Sequence, residues 1–496
     1  VGEPERAIEK AEALLSRSGS ILGRAKRQTL LRRRATNLIV LGRFREAETA
    51  LQEAEGMLSG EGESTDRALV GTLRAELDLR QGDLTRAREH AQKVLAYGRK
   101  WGWENFVREK EAPAIFRIGG LCEALSGHFE EALKNLAEGV QVVRGLGLLR
   151  EEARLHIVQA SVFRETGRLA DAEKALAEGA ALVECHPDDT GAAEAALERL
   201  ELALARGDLP AALRLGREAA ALAEILPQSR GLARVERATA RIYLKIGQYP
   251  RAFETLQKAA LRARTEKDRD QELRIMLERA WTLLVLDGPS AAGPEFEKVE
   301  REAKFRGFQP HLARARWGVG LSKIASGDRE GGGKILEEAE SSFRSIGLAR
   351  ERCEILLSGA RSRMESKDAE GFRRAMEEIR ACVEAIGAAD LHADLLSLEG
   401  EWRLIEGRLE EGLEALDRAR DEASRGKYLG NCLRMDLLRS IVLDALDRKE
   451  PAGLAREDAK RDAEEMASGF TPEAWARFQE RLGGWLARRR AILTKA

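Results

Sequence analysis

Along almost the whole chain, apolar and small side chains fall at fixed distances from a recurring glycine. The glycines are Gly2, Gly42, Gly82, Gly127, Gly167, Gly207, Gly247, Gly288, Gly327 and Gly407, mostly 40 residues apart, with steps of 45, 41 and 39 leading to Gly127, Gly288 and Gly327. Two positions after the glycine stands a bulky apolar residue (Phe44, Leu84, Phe129, Leu169, Leu209, Tyr249, Leu409). Five after it stands a small one, as in Ala47, Ala87, Ala132, Ala172, Ala212 and Ala252, and seven before it another, as in Ala35, Ala75, Gly120, Ala160, Ala240, Gly320 and Gly400. Residues three and four apart share a helix face, so these offsets predict two antiparallel helices of roughly 15 to 17 residues flanking a turn. The small residues let the pair approach closely, and glycine ends the first helix because it enters the left-handed region without a Cβ penalty. Asp83, Asp208 and Asp328 directly after it are candidate caps for the second helix.

Self-similarity at this period predicts stacked supersecondary units, each touching its neighbours, in place of a single globular core. The expected fold is all-α, a solenoid of about eleven antiparallel helical hairpins. It spans residues 1–470 and starts mid-repeat, because Gly2 with Ala7 and Leu14 opens on a second helix. That half-unit predicts further repeats or another covalently attached domain upstream. Residues 471–496, opening at Pro472 and carrying Trp475, Phe478, Leu482, Trp485 and the Arg488 to Arg490 run, are expected to form a C-terminal capping helix. The pattern weakens at Gly288, Pro289, Gly293 and Pro294, and again near Lys367, which predicts a shortened or displaced second helix and a bend between residues 285 and 370. The 45-residue unit carries Trp101, Trp103 and Phe106, either projecting or packed on themselves.

Composition changes the picture little. The chain is 34% charged and 5% aromatic, as suits exposed helices, and its 83 basic residues face 84 acidic ones, which gives no bulk attraction to nucleic acid or anionic membrane. Five scattered cysteines, no apolar run of membrane-spanning length and no signal segment point to a cytoplasmic protein. Gly331 to Lys334 lacks the serine or threonine of a phosphate loop, Cys185 and His186 lack a second ligand pair, and the six histidines fall at unrelated repeat positions. No catalytic residue, cofactor or metal site is expected.

The run Gly42 to Ala47 with Leu51 and Ala54, and those starting at Gly127 and Gly407, resemble the tetratricopeptide repeat (TPR). The period is longer than in the ordinary repeat, and the early tryptophan and closing proline are missing. Long units of this kind resemble sensor regions of maltose-activator-like regulators and of multi-domain signalling ATPases and kinases. The resemblance implies a right-handed superhelix whose first helices line a concave groove for a protein, a peptide or, in sensors, a small inducer. First-helix positions left over from packing supply the candidate groove residues Arg32, Thr36, Arg234, Arg237, Arg241, Glu278, Arg314 and Trp317. An arginine stripe beside a tryptophan suits an acidic or phosphorylated peptide, through forked pairing with carboxylate or phosphate. The alternative is that these arginines pair with neighbouring glutamates. Two functions stay open: a peptide- or protein-binding scaffold of a signalling or defence protein, or a small-molecule sensor regulating an upstream ATPase or kinase domain.

Overall fold

The structure, a computed structural model, describes residues 3–17, 23–58, 64–104, 106–107, 112–226, 231–366 and 368–493. Gly2 and Lys367 lie outside the described residues. Helix α1 (Glu3–Arg17) precedes eleven hairpins. The first four pair α2 (Arg24–Val40) with α3 (Phe44–Gly56), α4 (Thr65–Gln81) with α5 (Leu84–Trp101), α6 (Ala114–Leu125) with α7 (Phe129–Gly145), and α8 (Leu149–Glu165) with α9 (Leu169–Cys185). The next four pair α10 (Asp189–Arg206) with α11 (Leu209–Glu224), α12 (Leu232–Lys245) with α13 (Tyr249–Glu266), α14 (Arg269–Leu286) with α15 (Pro289–Arg306), and α16 (Gln309–Ala325) with α17 (Arg329–Ile346). The last three pair α18 (Ala349–Glu365) with α19 (Ala369–Ile386), α20 (Ala389–Ile405) with α21 (Leu409–Arg425), and α22 (Leu429–Ala445) with α23 (Lys449–Ala467), after which comes α24 (Pro472–Leu493). No strand occurs among the described residues, and none of their helices is long and apolar enough to cross a membrane.

The repeat positions do what their spacing predicts. Asp83, Asp208 and Asp328 accept from the backbone N–H three residues on, at 3.1, 3.0 and 2.9 Å, closing the first turns of α5, α11 and α17. The small residues on either side of the turn face each other. Ala35, Ala47, Ala75, Ala87, Ala160, Ala172, Ala240 and Ala252 are fully buried, and a Cβ on Gly332 would come 2.7 Å from the Gly320 carbonyl. Trp103 packs on Phe106 and Phe116, whereas Trp101 stays exposed, so the long unit folds most of its aromatic surface onto itself.

Two expectations are corrected. Helix α15 is not shortened but runs for 18 residues: Pro289 occupies its first position, where a missing N–H leaves no broken bond, and the helix continues past Pro294 in its interior. Nor do units touch only their neighbours. Lys267 donates to the Gly42 carbonyl 225 positions away, Arg306 to the Gly82 carbonyl 224 away, and Tyr428 to the Gly207 carbonyl 221 away. That near-constant offset means that about five and a half 40-residue units complete one superhelical turn, and that successive turns are stacked in contact. The offset continues through the place where a bend was expected, with Gly127 meeting Gln309 and Ile346 and Gly167 meeting Ala349 and Ile386. The seam fixes the pitch through backbone turns, which the proline and glycine substitutions near residue 288 leave in place.

Candidate functional site

First helices pack on the first helix of the next unit, as in α2 with α4, α8 with α10, α12 with α14 and α18 with α20, while second helices make no comparable contact with one another. The first helices therefore form the concave inner wall. No residue of α12 or α14 is fully exposed, whereas α13 presents Arg251, Glu254, Lys258, Leu261 and Arg262 to solvent. The tight winding and the stacking of turns account for this: the inner wall is crowded by its own neighbours.

The candidate residues fall on that wall, and most are already engaged. Arg237 is 5% exposed and held by Glu201, by Glu278 at 2.8 Å and by Gln271 at 3.1 Å. Arg241 pairs with Glu201 at 2.6 Å, and Arg32 pairs with Asp66 at 2.9 Å. Arg314 lies 2.6 Å from both Glu165 and Glu351. Thr36 donates to the Arg32 carbonyl of its own helix. Trp317 is half-buried against Trp281 and Phe343, its ring 4.6 Å from that of Trp281. Arg234 differs from its two stripe neighbours: its guanidinium sits near Glu198, Glu201 and Asp268 yet makes no hydrogen bond, and its Nε is buried. The stripe expected to attract an acidic peptide thus spends two of its three positive charges inside the protein. The pairing alternative is the one realised, with buried partners.

Sequence reasoning missed the other half of this network. Glu165 accepts from Arg274, 109 positions on, at 2.8 Å, and from Arg314, 149 positions on, while Arg164 beside it pairs with Glu198 at 2.6 Å. Arg274 also pairs with Asp270, which accepts from the buried His311 ring at 2.6 Å. A second knot joins Lys245 and Arg350 to Asp390, and Arg350 donates to the Ala205 carbonyl, 145 positions away, at 2.8 Å. Burial opposes ionisation of Glu165, but Arg274, Arg314 and Arg164 outweigh it and hold the carboxyl well below the usual range. Burial likewise raises Glu201, and Arg237 and Arg241 overcome it to hold the group at about 2. Burial lowers the His311 imidazole, opposed by its bond to Asp270. No local spacing reveals partners more than 100 positions apart; only the helical pitch does.

The network ties units of the inner wall to one another, both adjacent units and units 109 to 149 positions apart. Among the described residues no group of three or more His, Cys, Asp or Glu side chains is placed to hold a metal. Outside the wall, a cavity of about 460 Å³ opens in the seam, bounded by Leu84, Arg88, Gln92 and His128 on one turn and by Gly307 and Gln309 on the next.

No protein-family model matches the chain, and no curated protein does. Solved structures do. A Rap protein complexed with competence and sporulation factor shares 12% identity over 82% of this chain and 100% of its own, with a TM-score of 0.52. NprR in complex with its cognate peptide NprX shares 15% over 71% of this chain and 98% of its own, at 0.52, and the APC/C hetero-tetramer Cut9–Hcn1 shares 13% over 97% and 90%, at 0.53. At such identities the likeness concerns the fold: the chain is an all-α superhelix of TPR-like hairpins.

Proposed function

We propose that the chain is a non-catalytic scaffold that binds a peptide or protein segment along its first-helix wall, as part of a signalling or defence protein. The observation that carries this reading is the wall itself, a face of first helices packed one on the next from α2 to α16 and again from α18 to α20, presenting half-buried arginine and tryptophan side chains. The likeness in fold to NprR, solved with its cognate peptide NprX, and to a Rap protein, solved with competence and sporulation factor, supports it. Within the wall, Arg234 and Trp317 are the residues proposed to meet the ligand, since Arg234 is unpaired and the indole N–H of Trp317 is buried without a partner. Panning the chain against a library of linear peptides tests the reading. Selected peptides should slow amide exchange in first helices, and Arg234→Ala should weaken them; protection confined to second helices would refute it.

The seam cavity favours a second reading, a sensor of a small inducer, because its volume is in the range of small-molecule sites and both superhelical turns line it. A ligand there would resist separation of the turns, and the test is a thermal-shift screen whose hits are lost on Arg88→Ala and Gln309→Ala substitution.

A further inference from the structure

Helix α24 has no hairpin partner. It lies chiefly against three first helices, α14, α20 and α22, and so occupies the concave wall at the C-terminal end of the superhelix. One face is seated. Trp475, Phe478 and Leu482 pack with Tyr249, Leu429, Leu433, Leu437 and Met466, and Trp485 follows one turn further on, 5.0 Å from the Arg434 guanidinium. Arg489 completes the stripe at i+4 from Trp485, with its Nε 2.8 Å from the carboxylate of Glu401 on α20. Glu401 is 3% exposed, and its other near cation, Arg434, is 3.9 Å away.

Beside that face, Arg481 donates to the Val285 and Leu286 carbonyls at the end of α14 and Arg477 pairs with Asp287 at 3.0 Å; the remaining side is open to solvent. Arg477, Glu480, Gly483, Gly484, Ala487 and Arg490 are exposed. Gly483 and Gly484 stand side by side in the middle, and no atom lies within 4 Å of where a Gly483 Cβ would be, so packing does not require glycine there while helix propensity suffers from it. A helix seated by an aromatic face and a few arginine contacts, with two interior glycines and no hairpin partner, belongs to the low-stability end of a structure. Its departure would leave Glu401 buried beside a single distant cation, an unfavourable state that another cation would relieve.

We propose that α24 is a releasable strap over a docking site on α20 and α22, and that the partner admitted there in trans is a basic amphipathic helix carrying tryptophan and arginine at i and i+4. The inference rests on the first-helix wall being a binding surface and names its occupant at this end. It is opposite in charge to the acidic peptide that the arginine stripe suggested, because the deep unshared charge at this end of the wall is Glu401.

The test uses the full chain and a fluorescein-labelled peptide of residues 472–493. Trp485→Ala with Arg489→Ala loosens the strap without touching its seat. That variant should bind the peptide at least about ten-fold more tightly than the unaltered chain, in which the seat is occupied. Adding Glu401→Lys to the variant should abolish binding. Equal or absent binding by the loosened chain overturns the proposal, and so does loss of cooperative unfolding in it, which would make α24 integral to the fold. In the unaltered chain, amides of α24 should exchange before those of α20 to α23; simultaneous exchange also overturns it. Library peptides that still protect α12 to α16 after such a failure would leave the broader scaffold reading intact.

Discussion

The turn that joins the two helices of a unit occurs in two settings. At Gly82, Gly207 and Gly247 the next superhelical turn presses on it: a Cβ would meet Arg269 at 2.9 Å, the Tyr428 hydroxyl, and Met466 at 2.9 Å, respectively. At Gly327 and Gly407, in the final superhelical turn, no atom lies within 4 Å of the same position. Both sets have positive φ, so both need a residue that tolerates the left-handed region. Only the covered set also needs the space. Where cover is missing the sequence relaxes, and Asp447 takes the turn with φ 53° and an exposed side chain. One glycine pattern thus records two constraints, one local and one from more than 200 residues away.

Charge follows the same division. Just before the covered Gly167, Glu165 is buried between Arg274 and Arg314; just before the uncovered Gly407, Glu406 pairs with Arg373 and Arg408 at the surface. Glu165→Ala takes one carboxylate from Arg274 and Arg314, which keep Asp270 and Glu351, and should lower stability by about 1.5–3 kcal/mol, whereas Glu406→Ala should stay within about 0.5 kcal/mol. Chemical denaturation of the two variants checks the contrast, and equal effects would break it. Gly207→Ala combines backbone strain with a clash against Tyr428 and should cost about 3 kcal/mol; Gly407→Ala carries the strain alone, about 1–2 kcal/mol. Melting temperatures of the pair sharpen the comparison.

Acid probes the buried charge network of the inner wall. Glu201 has its folded pKa lowered to about 2, below its unfolded value, so the stability it contributes is fully present above the unfolded pKa and is lost as pH falls through about 2. Glu165 and Asp390 are shifted in the same direction. Stability should therefore fall between about pH 5 and pH 2, and Glu201→Gln should flatten that slope. Unchanged slope in denaturant titrations at several pH values would show that the Arg237 and Arg241 pairs do not contribute it. The smallest effect belongs to Asp447→Gly, which relieves strain at an uncovered turn and should gain at most about 1 kcal/mol in the same assay.

Much of the fold was legible because its causes are short-range. The glycine, the aspartate cap and the small residues at −7 and +5 act within one hairpin, and each sits where the spacing put it. The candidate wall was legible as positions but not as chemistry. Arg237 and Arg314 were placed on the inner face, yet Glu165, Glu201 and Asp390 were invisible as partners, since two of the three pairs join residues 145 or more positions apart. The expected shortening of α15 failed for a local reason: Pro289 and Gly288 alter only how the helix starts.

By itself the sequence determined that this chain is a ladder of helical hairpins, because helix periodicity, caps and left-handed turns are decided by residues within a dozen or so positions of each other. Tertiary structure alone decided that the ladder closes onto itself every 220 or so residues, that its inner arginines are neutralised before any ligand arrives, and that α24 lies in the trough. The physical reason is pitch: small rotations between neighbouring units accumulate over about five and a half of them, and only their sum determines which distant turns meet.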